Sequence, residues 1–352
     1  RTNSPYLTAG GLSRARSGDD DMSVSMMLRG RNKESITLDL KTPEGVAVLK
    51  DLIARADVLV ENYSAGVTTR LGIDYASVRG LNERLVYTSI TGFGSDTDAG
   101  KAMDTIVQAL SGVMMTAGEP GDAPIRFGLP IGDLSAPLFA VIGTLAAILE
   151  SRRSGSGQHV DVSMLGALTS LVACEPFDAF EELGLPTRTG DWVPRLAPFG
   201  TFAASDGWFA LCGPTDQFAA GVFAALGQPE LAQDPRFRGR DDRVTNADTL
   251  HGLIADWAAE RTVAEAVDAF TRHGAPAAPV RTVGDAVRDP LVQSRGDIVR
   301  LQHPTYDTDE ELWASGIPIH FSESEATLDK PAPRLGQHTQ EVLGGLLAYS
   351  PE

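Results

Sequence analysis

An apolar run fills much of residues 124–157, and its polar borders are sharp. The segment FGLPIG ends at one acidic residue, Asp133; the run LSAPLFAVIGTLAAIL follows directly, and charged residues close it from Glu150 onward. Apolar residues fill nearly all faces of a helix with this sequence, which is typical of burial. Because the run is shorter than the ~20 residues that a bilayer-spanning helix needs, we predict a buried core helix.

The carboxylate of Asp133 needs a physical reason, because charge seldom lies unpaired among apolar neighbours. One explanation is helix capping, since an Asp at the N-cap accepts a hydrogen bond from a free N–H of the first turn. The other is chemistry, since a carboxylate at the mouth of an apolar cleft can attack an activated acyl group. This stretch by itself leaves both explanations open.

Upstream, residues 35–94 alternate between strand-like and helix-like patterns. Strands are predicted at SITLDL, DVLVEN and LVYTSITGFG, and helices at EGVAVLKDLIARA and VTTRLGIDYASVRGLN. Strand and helix alternating at this spacing indicates βαβ units and a parallel sheet. Ligands bind such sheets beyond the carboxyl ends of the strands, where the segments ENYSAG and TGFGSD lie.

Downstream of these units, a helix is predicted at 104–118, and HVDVSML reads as a strand running into a helix. The character changes near Glu175, where a Pro/Gly-rich segment leads into a second domain. There GTFAASDGWFALCG predicts a hairpin, followed by several helices. IVRLQHPTYD and IPIHFS are strand-like, and a helix is predicted near the C-terminus.

Composition narrows the function. The chain has 352 residues and a formal net charge of −17, which argues against nucleic acid or an anionic membrane as a partner. Two cysteines give neither a disulfide framework nor metal-ligand spacing, so we expect a cytoplasmic protein. The sequence contains no phosphate-binding GxxxxGK[ST] loop, HExxH motif or GxSxG frame, and its six histidines are scattered. We therefore expect no metal site.

Several basic residues lie at element ends near the predicted ligand edge of the sheet. A single surface Lys or Arg is usually a solvated charge. Their placement in an otherwise acidic protein is nevertheless compatible with a phosphate-bearing ligand. The residues are Arg31, Lys33, Lys41, Arg70 and Lys101.

Several ordered segments together resemble the family III CoA-transferases, which include formyl-CoA and carnitine CoA-transferases and α-methylacyl-CoA racemases. The resemblance covers roughly residues 30–345 and is strongest over residues 30–170. It rests on RGRNKESITLDLKTPEG, ADVLVENYSAGVTTRLGIDY, LNERLVYTSITGFG, the continuous stretch from DTIVQALSG to HVDVSML, and PAPRLGQHTQEVL.

The resemblance implies an α/β fold with an open Rossmann-like large domain around a parallel sheet and a smaller inserted α+β domain, in an interlocked homodimer. The implied boundaries are 1–185 for the first part of the large CoA-binding domain, 186–290 for the inserted domain and 291–352 for the return. The family's first strand, Gly-rich turn, helix and second strand would precede Arg1, so we expect residues before it.

The resemblance also implies site residues. The family's catalytic aspartate falls on Asp133, which makes the nucleophile the favoured explanation. CoA-binding positions fall on Leu38 and Leu71 at the adenine, Lys41 and Arg70 at the phosphates or adenine, and Asn62, Lys101 and Asp104 near the active-site edge.

The implied reaction is a double displacement. Asp133 attacks an acyl-CoA thioester to give a mixed anhydride, and the CoA thiolate converts this anhydride to an aspartyl-CoA thioester. A second carboxylic acid then reverses the sequence. Such an intermediate needs an apolar site that excludes water, and N–H groups aimed at the developing oxyanion. Coenzyme A is then a substrate, and no other cofactor is expected.

Two alternatives remain. An α-methylacyl-CoA racemase needs a base on each face of the substrate. Met103 stands where that branch has a histidine, and its second acid would fall near Thr215, beside Asp216. The other alternative is a non-catalytic acyl-CoA-binding homologue that lacks the N-terminal half of the site. The sequence does not specify the acyl group.

Overall fold

The computed structural model describes residues 22–97, 100–305 and 312–350. The chain forms two compact units. The first consists of Arg1–Asp57, Thr69–Glu83 and Arg281–Glu352, as far as these residues are described, and the second of Val58–Thr68 and Arg84–Val280. The domain boundaries implied by the family resemblance stay a prediction.

Helices and strands alternate along most of the described chain. The α-helices are α1 (Val24–Arg29), α2 (Pro43–Ile53), α3 (Val67–Leu71), α4 (Tyr75–Val78), α5 (Asp104–Leu110), α6 (Ile131–Ser154), α7 (Met164–Val172), α8 (Phe177–Glu182), α9 (Asp216–Ala225), α10 (Arg240–Thr245), α11 (Ala247–Ala259), α12 (Val263–Arg272), α13 (Val283–Val287), α14 (Pro290–Ser294) and α15 (Thr339–Leu347). The strands are β1 (Val58–Glu61), β2 (Val86–Thr91), β3 (His159–Ser163), β4 (Phe199–Ala204), β5 (Gly207–Cys212), β6 (Ala277–Pro279), β7 (Ile298–Arg300) and β8 (Trp313–Ser315).

The second unit contains the predicted parallel sheet, with strand order β1-β2-β3. Val58 pairs with Val86, and Tyr87 pairs with His159, so the three strands run in one direction. Helices α6 and α7 pack against this sheet. The mixed α/β fold with a parallel sheet is therefore confirmed.

The same unit holds an antiparallel sheet of order β4-β5-β6. The hairpin predicted at Ser205–Asp206 is confirmed, because Ala204 pairs with Gly207 across it. Helices α11 and α12 cover this sheet, α9 packs against α12, and together they close an apolar core. Its phenylalanines are almost fully buried: Phe202, Phe209, Phe223, Phe237 and Phe270.

In the first unit, residues from both ends of the described chain are hydrogen-bonded to each other. The strand predicted at SITLDL is wrong. The Ser35 N–H donates to Nδ1 of His338 (3.1 Å), and the His338 N–H donates to the carbonyl of Ser35 (2.9 Å). The Thr37 N–H donates to the Thr339 hydroxyl (3.2 Å). These bonds go to a turn and a helix start, so the alternating pattern has no neighbouring strand to pair with.

The strand predicted at IPIHFS is also wrong, because the segment that pairs with β7 is β8, a few residues earlier. Two predicted helices are interrupted. VTTRLGIDYASVRGLN divides into α3 and α4 at Gly72, and the helix predicted over 104–118 ends at Leu110, before Gly112. Both glycines have a positive φ, +64° and +83°, which ends a right-handed helix.

The prediction of a buried core helix for the apolar run is wrong in part. Helix α6 has 24 residues, and one side packs on the sheet, where the hydroxyls of Thr144 and Thr88 are 2.7 Å apart. The opposite side is exposed, with Leu138 and Ile142 at 66% and 67% exposure. An apolar sequence indicates that a helix surface is unfavourable in water, but it does not indicate whether the same chain covers that surface.

By length and composition alone, α6 could cross a membrane, although the core helix of a water-soluble protein meets the same criteria. Large apolar side chains spaced three or four residues apart form one continuous row along its exposed side. We call this row the α6 stripe: Leu134, Leu138, Val141, Ile142, Leu145 and Leu149.

Candidate active site

Asp133 is exposed and lies in the first turn of α6, but it is not the N-cap. The N-cap is Pro130, whose side chain makes no capping hydrogen bond. The first turn is capped instead by a side chain from α5. Oδ1 of Asp104 accepts the N–H of Gly132 (2.8 Å) and the N–H of Asp133 (3.3 Å). Asp133 is therefore not the capping residue of α6, because the carboxylate of Asp104 accepts the first-turn N–H groups.

Gly132 allows this contact. A Cβ at Gly132 would lie 3.1 Å from Oδ1 of Asp104 and 3.4 Å from a methyl of Val107. A larger residue would push the capping carboxylate away from the helix. The negative charge of Asp104 also lies at the positive end of the α6 dipole, which favours the arrangement.

A cavity of about 350 Å³ opens beside Asp133, and all of its lining residues belong to the second unit. The turns after β1 and β2 form its walls, as predicted from the position of ENYSAG and TGFGSD. The lining is mixed. Its apolar side chains are Phe93, Ala102, Met103, Ala136, Pro137 and Met164, and its polar side chains include Asn62, Tyr63, Ser64, Thr91 and Thr97.

The turn after β2 is held in place by several hydrogen bonds. The Gly94 N–H donates to the Thr91 hydroxyl (2.9 Å), and the Ser95 N–H donates to Oδ2 of Asp161 (3.0 Å). A Cβ at Gly92 would lie 1.9 Å from that of Ala102, so only glycine lets the segment before α5 approach the end of β2. The turn is thus a fixed wall of the cavity.

The first-turn amides of α6 are already engaged. Besides the two N–H groups that Asp104 accepts, the Ile131 N–H donates to the Leu129 carbonyl (2.8 Å) and the Leu134 N–H to the Pro130 carbonyl (3.0 Å). Hydrogen-bond donors for a developing oxyanion beside Asp133 therefore have to come from groups outside this turn.

The predicted site residues divide between the two units. Asn62 and Asp133 line the same cavity, and Asp104 holds the backbone of Asp133. Lys101 is exposed, and its neighbours Gly100 and Ala102 line the cavity. The remaining four belong to the first unit: Leu38, Lys41, Arg70 and Leu71.

Of these four, the two basic residues have exposed side chains. Lys41 lies in the turn just before α2, and its N–H donates to Oδ1 of Asp39 (3.0 Å). Arg70 is in the last turn of α3. Within the described residues, neither forms an ion pair closer than 4.0 Å. Their assignment to CoA stays a prediction.

Sequence reasoning missed the capping role of Asp104 and the buried Gln108. The only signal was their separation of four residues on a predicted helix, which brings two side chains together on one face. Within the described parts of the chain, no three His, Cys, Asp or Glu side chains are grouped as the ligands of a metal ion would be.

Several known proteins are similar to this chain over most of its length. The family model described as CoA-transferase family III matches residues 8–339. Acetyl-CoA:oxalate CoA-transferase of Acetobacter aceti is 34% identical over 96% of this chain and 82% of its own length. Succinate–glutarate CoA-transferase of Agrobacterium fabrum is 31% identical over 90% of this chain and 79% of its own length.

A solved structure is similar as well. A CaiB/BaiF family protein from Brucella suis superposes with a TM-score of 0.78 at 30% identity, covering 92% of this chain and 84% of that one. The chain belongs to CoA-transferase family III. It is an enzyme that transfers coenzyme A.

Proposed function

We propose that Asp133 is the nucleophile of this transferase and carries the acyl group and then CoA as covalent intermediates. One observation carries the proposal. Asp133 lines a cavity with apolar side chains beside it at the ends of two parallel strands, and a second carboxylate fixes its backbone. A carboxylate placed in this way can attack an activated acyl group.

The steps balance without an external oxidant or a net proton. An oxygen of Asp133 attacks the thioester carbonyl and the C–S bond breaks. The CoA thiolate departs, and the acyl group and Asp133 now form a mixed anhydride. The thiolate attacks the aspartyl carbonyl of this anhydride, and the first acid leaves as a carboxylate. A second carboxylate attacks the aspartyl-CoA thioester, and the same steps run in reverse.

One part of the cavity lining favours this chemistry over hydrolysis. The side chains of Met103, Pro137 and Met164 carry no N–H or O–H group that could hold a water beside Asp133. An acyl group seated against them would exclude water from the anhydride. Coenzyme A enters the scheme as a substrate, and the scheme requires no resident cofactor.

For CoA itself, the proposed contacts are the exposed cations Lys41 and Arg70 at the phosphates or adenine, with Leu38 and Leu71 beside the adenine. Lys101 and Asn62 are proposed at the edge of the active site. Lys and Arg bind phosphate through charge-assisted hydrogen bonds. Replacing Arg70 with Ala should raise KM for acyl-CoA and leave kcat nearly unchanged, because this contact is equal in ground and transition states.

The racemase alternative finds no base in the matching positions. Met103 lines the cavity, and methionine cannot accept a proton. Thr215 caps α9 by accepting the Phe218 N–H (3.2 Å), and Asp216 forms an ion pair with Arg243 (2.9 Å). Transfer between two acids is the function that these side chains support best.

We also propose that the α6 stripe is covered by a second copy of this chain in a homodimer. Isolated apolar side chains are common on protein surfaces, but a continuous row of six large ones is typical of an interface. The interlocked dimer of the resembling family is the arrangement expected. Sedimentation equilibrium of the full chain should give a dimer; a monomer, or flotation with phosphatidylcholine vesicles, would contradict it.

Hydroxylamine trapping tests the covalent step. The enzyme is incubated with acetyl-CoA, succinyl-CoA or formyl-CoA, and with oxalate, glutarate or succinate, the groups named in its relatives. With a productive pair and hydroxylamine, peptide mass spectrometry should find a hydroxamate at Asp133. Asp133→Ala should lose transfer by about 10³-fold or more and form no hydroxamate. Transfer that survives in Asp133→Ala would end the proposal.

A further inference from the structure

Gln108 lies at the centre of a small polar network beneath the candidate nucleophile. It is on α5, and its side chain is completely buried. Nε2 donates to Oδ2 of Asp104 (2.7 Å) and to the carbonyl of Leu129 (3.2 Å). Oε1 accepts the N–H of Phe127 (2.9 Å). A buried amide with three partners in one network is rigidly held.

The orientation of the amide is fixed by its partners. The Phe127 N–H requires an acceptor, whereas the Leu129 carbonyl requires a donor. Turning the amide over would place donor against donor and acceptor against acceptor. Gln108 therefore offers Asp104 a hydrogen-bond donor and only a donor.

Asp104 passes this constraint to the start of α6. One carboxylate oxygen is held by Gln108, and the other accepts the N–H groups of Gly132 and Asp133. The same Gln108 side chain holds the backbone of residues 127 and 129, just before the helix. Both the loop that enters α6 and its first turn are thus tied to one side chain.

We propose that Gln108 is a positioning residue for CoA transfer, acting through Asp104 to hold Asp133 at the cavity. The inference rests on the proposed function of Asp133. Its physical basis is that an attacking oxygen must be placed to within a fraction of an ångström of its reacting geometry. Gln108 does not itself line the cavity.

The test compares Gln108→Met, which keeps the volume and removes the amide, with Thr144→Val. The control removes a hydrogen bond between α6 and the sheet, far along the helix from Asp133. Gln108→Met should lower kcat by about 100-fold with little change in KM for acyl-CoA. Thr144→Val should leave kcat nearly unchanged. Equal kcat in Gln108→Met and wild type, per folded molecule, would overturn the inference.

A second variant separates positioning from general loosening. Gln108→Glu keeps the shape and an acceptor for the Phe127 N–H, but its ionised form cannot donate to Asp104. Its kcat relative to wild type should fall as the pH is raised through the pKa of the introduced carboxyl, which burial and the neighbouring Asp104 raise, because only the protonated form can donate. A ratio that stays flat with pH would contradict the proposed contact.

A third measurement does not depend on activity. Hydrogen exchange at the amides of Gly132 and Asp133 should become faster in Gln108→Met, whereas Thr144→Val should not change it. Unchanged exchange at both amides would overturn the inference by itself. If Asp133→Ala retains full transfer while exchange responds as expected, the proposed nucleophile fails and the structural tie remains.

Discussion

The antiparallel-sheet and parallel-sheet regions of the second unit differ in how far their large apolar side chains are buried. Around the antiparallel sheet, five phenylalanines are almost fully buried under α9, α11 and α12. Around the parallel sheet, α6 buries mainly small residues against the strands and leaves its large aliphatic side chains exposed. The first region is complete by itself, whereas the second has an open cavity and an uncovered stripe. We propose that the first region mainly supplies stability and that the second binds the substrates and a second subunit.

The polar anchors differ in the same way. Arg243 is buried in the antiparallel region and donates to the carbonyls of Ala197 (3.1 Å), Phe237 (3.3 Å) and Pro214 (3.2 Å), besides pairing with Asp216. It joins loops of a closed core. Gln108 and Asp104 instead hold a loop and a helix start at the edge of the cavity. We expect loss of the Arg243 side chain to lower the free energy of unfolding, and loss of the Gln108 or Asp104 side chain to lower kcat.

The largest expected effect is on the α6 stripe. Ile142→Glu would place a charge at the centre of the proposed dimer contact, where it cannot be hydrated. The dimer dissociation constant should rise by about 10³-fold, equivalent to about 4 kcal/mol. Arg152→Glu, at the polar end of the same helix, is the control. Sedimentation velocity over a concentration series measures both, and an unchanged constant in Ile142→Glu would exclude the stripe as the interface.

The next effect is on the antiparallel core. Arg243→Met would leave three carbonyls, two of them buried, without their donor, so the free energy of unfolding should fall by about 3 to 4 kcal/mol. Arg240→Met, an exposed arginine in the same helix, should change it by less than about 0.5 kcal/mol. Urea unfolding followed by Trp fluorescence gives both values. The kcat for transfer by the folded Arg243→Met enzyme should be near that of wild type. A large loss of kcat would contradict the view that the antiparallel region contributes to stability and not to turnover.

The pH dependence of stability comes third. His251 stacks on Trp192, with ring centroids 4.1 Å apart, and no hydrogen-bond partner for either ring nitrogen lies among the described residues. Burial lowers the pKa of His251 from 6.5 to about 4. The unfolded chain therefore binds the proton more tightly, so stability is complete above pH 6.5 and falls as the pH drops towards 4. The loss should reach about 3 kcal/mol.

His251→Phe isolates this contribution, because other groups titrate in the same range. The unfolding free energy of wild type minus that of His251→Phe should decrease as the pH drops from about 6.5 to 4, because only wild type has this histidine to protonate. The difference should stay constant above pH 7. Urea unfolding at several pH values measures it. A difference that is constant from pH 7 to 4 would show that His251 keeps an ordinary pKa.

The smallest effect is expected where α6 meets the parallel sheet. Thr144→Val removes the hydroxyl that is 2.7 Å from the buried hydroxyl of Thr88. Leaving one buried hydroxyl without its partner should cost about 1 kcal/mol of unfolding free energy. Thr88→Val in the same background should restore part of the loss, because both partners are then apolar. Two additive losses would show that the hydroxyls do not interact.

The sequence determined the local elements and the family. The alternation of strands and helices predicted β1 and β2 as parallel strands of one sheet, HVDVSML predicted β3 as a strand, and the polar turn that ends in glycine predicted the hairpin of β4 and β5. All three are confirmed. The alternating apolar pattern failed for SITLDL, because a strand needs a neighbour, and the pattern carries no information about which segment lies beside it. The ordered motifs indicated a CoA-transferase, and the family match confirms it.

Tertiary structure alone decided how the candidate site is held. The carboxylate that caps α6 comes from Asp104, 28 residues before Gly132, and no local pattern marks a contact of that separation. The same holds for two contacts of the buried Gln108 amide, with the Leu129 carbonyl and the Phe127 N–H, which lie about twenty residues away along the chain. The sequence also did not predict that one side of α6 is exposed. An apolar run has the same sequence pattern whether its own chain or another surface covers it. Sequence patterns record local preference for helix, strand or turn, whereas capping, burial and cavity are properties of segments brought together by folding.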